Sequence, residues 1–134
     1  MNFLVDTSAL YAVVDTSNEA HPRASAMWRR ILDEGDLIVI SSYALGETIT
    51  LLHARFGTAT VRTFVDGLLP IIVTDWADQE THDAALSMML KTEGKSGPSL
   101  TDCANLETMR RMRISTIFAY DKHYERPGIT VVGG

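Results

Sequence analysis

Four acidic residues stand where their neighbours are apolar or helix-forming, and their chemistry is the first question the chain raises. Asp6 ends the run Phe3-Leu4-Val5 in "FLVDTSAL". Asp121 follows "STIFAY", another apolar run. Glu47 lies in "SSYALGETITLLHARFG" and Asp102 in "GPSLTDCANLETM", both segments with helical spacing. Buried carboxylates are costly, and like charges gathered in one site repel. A divalent cation removes that cost, because hard ions such as Mg²⁺ and Mn²⁺ take oxygen ligands. If the four acids converge, the chemistry they offer is metal-assisted.

Each acid also has a local role open to it. Asp6 can cap a short helix over 8–14. Asp102 fits a capping box with Ser99. Asp121 can start a turn in "YDKHY", and Glu47 can pair with an arginine. The metal reading therefore rests on convergence and not on any single residue. Other chemistries find less support. His21, His53, His82 and His123 show no H-x-x-x-H spacing for zinc. His123, beside Asp121, is open to contact with a substrate, but a surface histidine is the favoured reading. Cys103 reads as a small core residue, and no Gly-rich phosphate cradle or G-x-S-x-G elbow occurs.

The elements that must position the acids follow from the patterning. Candidate strands are 2–5, 37–40, 71–74, 115–120 and 129–132, rich in Ile, Val and Phe and apolar without strict alternation. Strands covered on both faces read this way. Helical patterns fill the intervals: one through Ala20, Ala24, Met27 and Ile31 stopping at Gly35; one capped by Ser41 or Ser42 and ending at Gly57; then 58–68, 75–94 and 99–113. The loop "TEGKSGP" at 92–98 is the clear insertion. Strand alternating with helix implies a mostly parallel sheet of about five strands with helices on both faces. Right-handed crossovers put every strand's C-terminal end at one edge, where ligands bind in open sheets. Asp6 and Asp121 belong to that edge. Asp102 shares a helical face with Leu106 and Met109, which should pack on the sheet. Glu47 aligns with Tyr43, Leu51 and Ala54, opposite a stripe of Leu45, Ile49, Leu52 and Phe56, so its helix is expected to be buried nearly all round.

The chain has 134 residues, 46% apolar and 22% charged, with a net charge of −5. This fits one domain over 1–134 with a real core. The negative balance counts against a plain nucleic-acid binder unless cations are held. With one cysteine, no internal disulfide forms, which suits a cytoplasmic location. The first residues make a poor signal peptide, and no apolar run reaches the roughly 20 residues needed to span a membrane.

With these residues in place, the chain resembles a PIN-domain ribonuclease, and closely the VapC-type toxins of bacterial toxin–antitoxin pairs. "LVDTSALYAVVDTSNEAHPRA", "SSYALGETITLL" and "SLTDCANLETMRRMRISTIFAYDKHYERPGITVV" carry the likeness in order along nearly the whole chain. The resemblance implies a three-layer sandwich and an acidic site of Asp6, Glu47, Asp102 and Asp121. It implies Mg²⁺ or Mn²⁺ as one or two ions, with Asp6 and Asp102 as central ligands. Ser8 and Thr101 sit where the family places hydroxyls that steady the acids, and Thr7 is an alternative to Ser8. The expected reaction is hydrolysis of RNA phosphodiester bonds, leaving 5′-phosphate and 3′-hydroxyl ends. The expected partners are an RNA substrate, a cognate antitoxin and a second copy of the chain. Arg110, Arg111 and Arg113 are open to contact with RNA phosphates, but a solvated helix face is the favoured reading.

Two rivals come from other classes. A phospho-accepting signalling domain would use Asp6, Asp75 and Lys122, but Thr7 and Ser8 stand where it wants a second acid. A catalytically silent module of the same fold would keep the shape without the activity.

Overall fold

The computed structural model describes residues 1–134. It places five strands in one sheet of order β3-β2-β1-β4-β5: β1 (Asn2–Val5), β2 (Leu37–Ser41), β3 (Val73–Asp75), β4 (Thr116–Phe118) and β5 (Thr130–Val132). Every pairing is parallel, with Leu4 opposite both Val39 and Ile117. The central strand β1 is covered on both faces, Phe3 and Val5 entering one core and Leu4 the other, which is why all three are buried and why its sequence shows no alternation.

Six helices cover the two faces: α1 (Thr7–Val14), α2 (His21–Glu34), α3 (Ser42–Phe56), α4 (Thr58–Gly67), α5 (Gln79–Leu90) and α6 (Leu100–Met112). One face carries α1 to α4, through a core of Val5, Leu10, Trp28, Ile31, Ile40, Leu45, Leu52, Phe64 and Phe118. The other carries α6, whose Leu106 and Met109 meet Leu4, Val39 and Ile117. Helix α5 packs on α6 through Ala85, Cys103 and Ala104. The result is the three-layer sandwich expected. Gly35 closes α2 because an added Cβ would lie 2.6 Å from the Ile31 carbonyl oxygen.

The largest departures from the sequence reading are at β3 and α5, and β4 is shorter than expected, Thr116–Phe118 against 115–120. The third strand begins at Val73 and not at residue 71, because Leu69–Ile71, with Pro70, forms a 3₁₀ turn. Proline fixes φ and supplies no N–H to a ladder. Helix α5 spans Gln79–Leu90 and not 75–94. Asp78 caps it by accepting the Thr81 N–H at 2.8 Å. Asp75, placed in the helix by its sequence, belongs to β3 and turns its carboxylate to α6. There Thr108 Oγ1 donates to it at 2.7 Å and Arg111 Nη2 at 2.6 Å.

Candidate active site

Parallel strands bring their C-terminal ends to one edge, and a cleft of about 420 Å³ opens there. Asp6, Ser8, Glu47, Thr101, Asp102 and Asp121 all line it. All six residues singled out by sequence therefore reach the same cleft, from α1, α3, α6 and the segment after β4.

Asp6 is buried and caps α1. Its Oδ2 accepts the Ser8 N–H at 3.3 Å and the Ser8 hydroxyl at 2.7 Å. Ser8 Oγ in turn accepts the Tyr120 N–H at 3.0 Å, tying α1 to the segment that leads into Asp121. The hydroxyl expected to steady Asp6 is thus Ser8. Thr7, the alternative, donates instead to the Ala44 carbonyl at 3.0 Å and fastens α3 to α1. Thr101 lines the cleft but makes no hydrogen bond to an acid.

Asp102 is also buried. It forms the capping box with Ser99: Asp102 Oδ2 accepts the Ser99 N–H at 2.9 Å, and Ser99 Oγ accepts the Asp102 N–H at 3.1 Å. Asp121 caps a 3₁₀ turn over Lys122–Tyr124 by accepting the His123 N–H at 2.8 Å. Three of the four local roles open to these acids are therefore real, and each leaves the carboxylate in the cleft. A cap fixes a carboxylate without consuming all of its lone pairs.

Glu47 departs from expectation. Helix α3 is not buried nearly all round: Ala44, Leu45, Thr48 and Leu52 are buried, while Glu47, Leu51 and Ala54 are exposed. The helix covers the sheet with one stripe only. On its open side Leu51 lines the cleft beside Glu47, which projects without an arginine partner.

Beneath Asp6 and Asp102 lies a polar floor that the sequence reading missed. Asn105 and Tyr124 are completely buried. Asn105 Nδ2 donates to Asp6 Oδ1 at 2.9 Å and to Tyr124 Oη at 2.8 Å. Tyr124 Oη lies 3.0 Å from Asp102 Oδ1 and 3.2 Å from Asp6 Oδ1. Ser41 Oγ, at the end of β2, donates to Asn105 Oδ1 at 2.6 Å. Donor counting fixes the direction of the chain. The two amide hydrogens of Asn105 go to Asp6 and Tyr124, and the one phenolic hydrogen goes to the nearer oxygen, on Asp102. The signal that would have revealed the floor is Asn105 itself, a polar residue three positions after Asp102 on a face otherwise committed to the core.

The electrostatics follow from this crowding. Burial, with the charge of Asp102 added, outweighs the Ser8 hydrogen bonds and holds the Asp6 carboxyl above the usual range. Burial and the same two carboxylates push the Tyr124 phenol far up, so it remains a donor. Burial and Asp102 raise the Cys103 thiol, which is a core residue and no nucleophile. His123 is more than a surface histidine: its Nδ1 lies 2.8 Å from Asp121 Oδ1 and 3.0 Å from Asp102 Oδ2. Burial alone would lower its pKa, but the Ser96 carbonyl and the two carboxylates together raise it.

The donor set fits a divalent metal. Oxygen ligands dominate, two of the carboxylates are buried, and burial, with the charge of Asp102 added, disfavours the ionised Asp6 in a way that a cation would offset. Asp75 is not available for phosphoryl chemistry, because Thr108 and Arg111 occupy it. The arginines assigned to a solvated face divide: Arg110 pairs with Glu107, Arg111 with Asp75, and Arg113 ends α6 in a left-handed conformation.

Known proteins share this fold. The chain is similar to the 23S rRNA-specific endonuclease VapC20 of Mycobacterium tuberculosis, with 24% identity over 129 residues, covering 96% of this chain and 95% of that one. Its fold matches the crystal structure of M. tuberculosis VapC20, described as a Sarcin-Ricin loop cleaving toxin. The TM-score is 0.85 at 22% identity, over 98% of this chain and 99% of that one. It also matches a DNA-bound VapBC structure from Salmonella typhimurium, with TM-score 0.69 and 17% identity over 98% and 97% of the chains. FitAcB from Neisseria gonorrhoeae gives TM-score 0.67 and 16% identity over 96% and 95%. Residues 3–129 match the family model of the PIN domain, and the chain belongs to the PIN-domain family.

Proposed function

We propose that the chain is a metal-dependent endoribonuclease, a single domain over 1–134, and the toxin of a toxin–antitoxin pair. The observation that carries this reading is the single cleft lined by Asp6, Glu47, Asp102 and Asp121 at the C-terminal edge of a parallel sheet. The similarity to a 23S rRNA-specific endonuclease supports RNA as the substrate. Single-stranded or loop RNA suits an open cleft, because loops expose the phosphodiester backbone.

Asp6 and Asp102 are the central ligands in this reading, with Glu47 and Asp121 completing the site, for Mg²⁺ or Mn²⁺ as one or two ions. A divalent cation held by these acids supplies Lewis acidity, acidifying water and offsetting charge that develops on the phosphate. The chain's own contribution is placement. Ser8, Asn105 and Tyr124 fix Asp6, while Ser99 and Tyr124 fix Asp102. Glu47 reaches in from the opposite wall on an exposed helix face. The acids also exclude a bare polyanion until a cation is held, so substrate and metal binding are coupled.

The VapBC structures among the fold neighbours support a protein antitoxin as partner, and an acidic cleft suits a partner that presents a basic side chain. A second copy of the chain belongs to the same reading. No helix is long and apolar enough to cross a membrane.

The test is cleavage of several RNAs with Mg²⁺ or Mn²⁺, with and without chelator, by the wild type and by Asp102→Asn, followed by mapping of the cut ends. Cleavage that chelator and the variant both abolish, leaving 5′-phosphate ends, is expected. Intact RNA across all substrates would favour the silent module instead.

A further inference from the structure

We propose that His123 is a ligand of the same cation site, giving the ion between Asp102 and Asp121 a nitrogen donor and hence a preference for Mn²⁺ over Mg²⁺. The inference rests on the metal-dependent reading above and adds a side chain and a selectivity to it. His123 Nδ1, Asp102 and Asp121 each present a donor atom, and these lie within 4.8 Å of one another. Nδ1 is 2.8 Å from the Asp121 oxygen and 3.0 Å from the Asp102 oxygen. Adjacent ligands in an octahedral shell with bonds of about 2.1 Å are separated by about 3 Å, so the spacing suits a shared ion.

The imidazole is held in place from both sides. The backbone N–H of His123 donates to Asp121 Oδ1 at 2.8 Å, which sets the residue beside that carboxylate. Nε2 faces the Ser96 carbonyl oxygen at 3.4 Å, on the 92–98 loop. A backbone carbonyl at the outer ring nitrogen fixes the tautomer of metal-binding histidines, leaving the inner nitrogen's lone pair for the ion. Nδ1 is itself buried and lacks a hydrogen bond of acceptable geometry, despite two carboxylate oxygens beside it. The two oxygens beside it each accept one backbone N–H, from Ser99 and from His123 itself, and neither receives an aligned hydrogen from the ring, so each keeps a lone pair that can face an ion with Nδ1. Of the two ions the acids accept, Mn²⁺ is the one that gains from imidazole, since Mg²⁺ favours oxygen throughout.

The rival is that the ring is a built-in positive charge filling the cation's place. The two readings predict opposite signs. Calorimetric titration of the RNA-free protein with Mn²⁺ and with Mg²⁺, at one fixed pH, compares wild type with His123→Ala. If His123 is a ligand, Mn²⁺ affinity falls about ten-fold or more, Mg²⁺ affinity falls less, and the Mn²⁺/Mg²⁺ ratio drops. Pulsed electron paramagnetic resonance of Mn²⁺ on the wild type shows ¹⁴N coupling, and this measurement needs no variant to fold. Unchanged or tighter Mn²⁺ binding by His123→Ala, or Mn²⁺ bound to wild type without nitrogen coupling, overturns the ligand role and leaves the acidic site standing. Failure of the wild type to bind either ion overturns both.

Discussion

Asn105 donates its side-chain amide to Asp6 Oδ1 at 2.9 Å, joining two residues 99 positions apart in the chain. Both are buried, and each is the other's reason for being tolerated. Replacing Asn105 by leucine removes donors to Asp6 and Tyr124 and an acceptor for Ser41. A buried polar group left unsatisfied costs about 1–3 kcal/mol. Asn105→Leu should therefore destabilise more than Tyr124→Phe, which loses one hydroxyl and keeps the ring, at about 1–3 kcal/mol. Both variants should lose about 10–100-fold in metal affinity or cleavage, as supporting partners of ligands do. Thermal melts and metal titrations check this; wild-type behaviour in both would show that the floor is inert.

Two acids bracket α1 and titrate in opposite senses. Asp6 before it has its pKa raised, chiefly by burial. Asp15 after it has its pKa lowered, chiefly by the Ser17 hydroxyl at 2.6 Å. A raised carboxyl binds its proton more tightly in the folded state. The wild type therefore loses stability as pH rises from the ordinary value of 3.8 through the raised one. Without metal, Asp6→Asn should melt at or above the wild-type temperature, with the gap opening as pH rises, and cleavage should be abolished. Asp15 contributes stability above 3.8 that is lost as pH falls through its lowered pKa. Asp15→Asn should thus melt below wild type at neutral pH and level with it in strong acid. Melting curves at several pH values distinguish the two signs.

Glu47 offers a clean separation of function from stability. It is exposed and pairs with nothing, so Glu47→Gln should change stability by no more than about 0.5 kcal/mol. Cleavage should still fall strongly. Unimpaired cleavage would remove Glu47 from the site.

Arg113 ends α6 at φ 55°, the one non-glycine residue with positive φ. Left-handed backbone costs an L-residue about 1–2 kcal/mol. Glycine relieves this but adds freedom to the unfolded chain. Arg113→Gly should be stabilising by up to about 1 kcal/mol, with cleavage unchanged. A loss of stability would mean that the arginine side chain holds the helix end.

The acids were legible in the sequence because each interrupts a pattern: Asp6 and Asp121 end apolar runs, and Asp102 follows a proline and a capping serine. The sheet was legible because fully covered strands read as short apolar blocks. What the sequence concealed is physically uniform. Asn105 and Tyr124 occupy core positions, and only tertiary contact shows that they are hydrogen-bonded to charges. Glu47 looked enclosed because Leu51 and Ala54 beside it are apolar, yet both are exposed. Pro70 diverted part of an apolar run into a turn, an outcome that hydrophobicity alone does not separate from a strand.

The floor under the carboxylates joins residue 6 to residues 102, 105 and 124, and β1 lies between strands made early and late. Translation delivers these parts in sequence, at roughly 5–20 residues per second. A nascent chain halted before β4 has β1 flanked on one side only, and lacks Tyr124, whose hydroxyl sits between Asp6 and Asp102. Synthesis itself therefore imposes a delay: the acidic cleft is not complete until the last strands have been made and have folded.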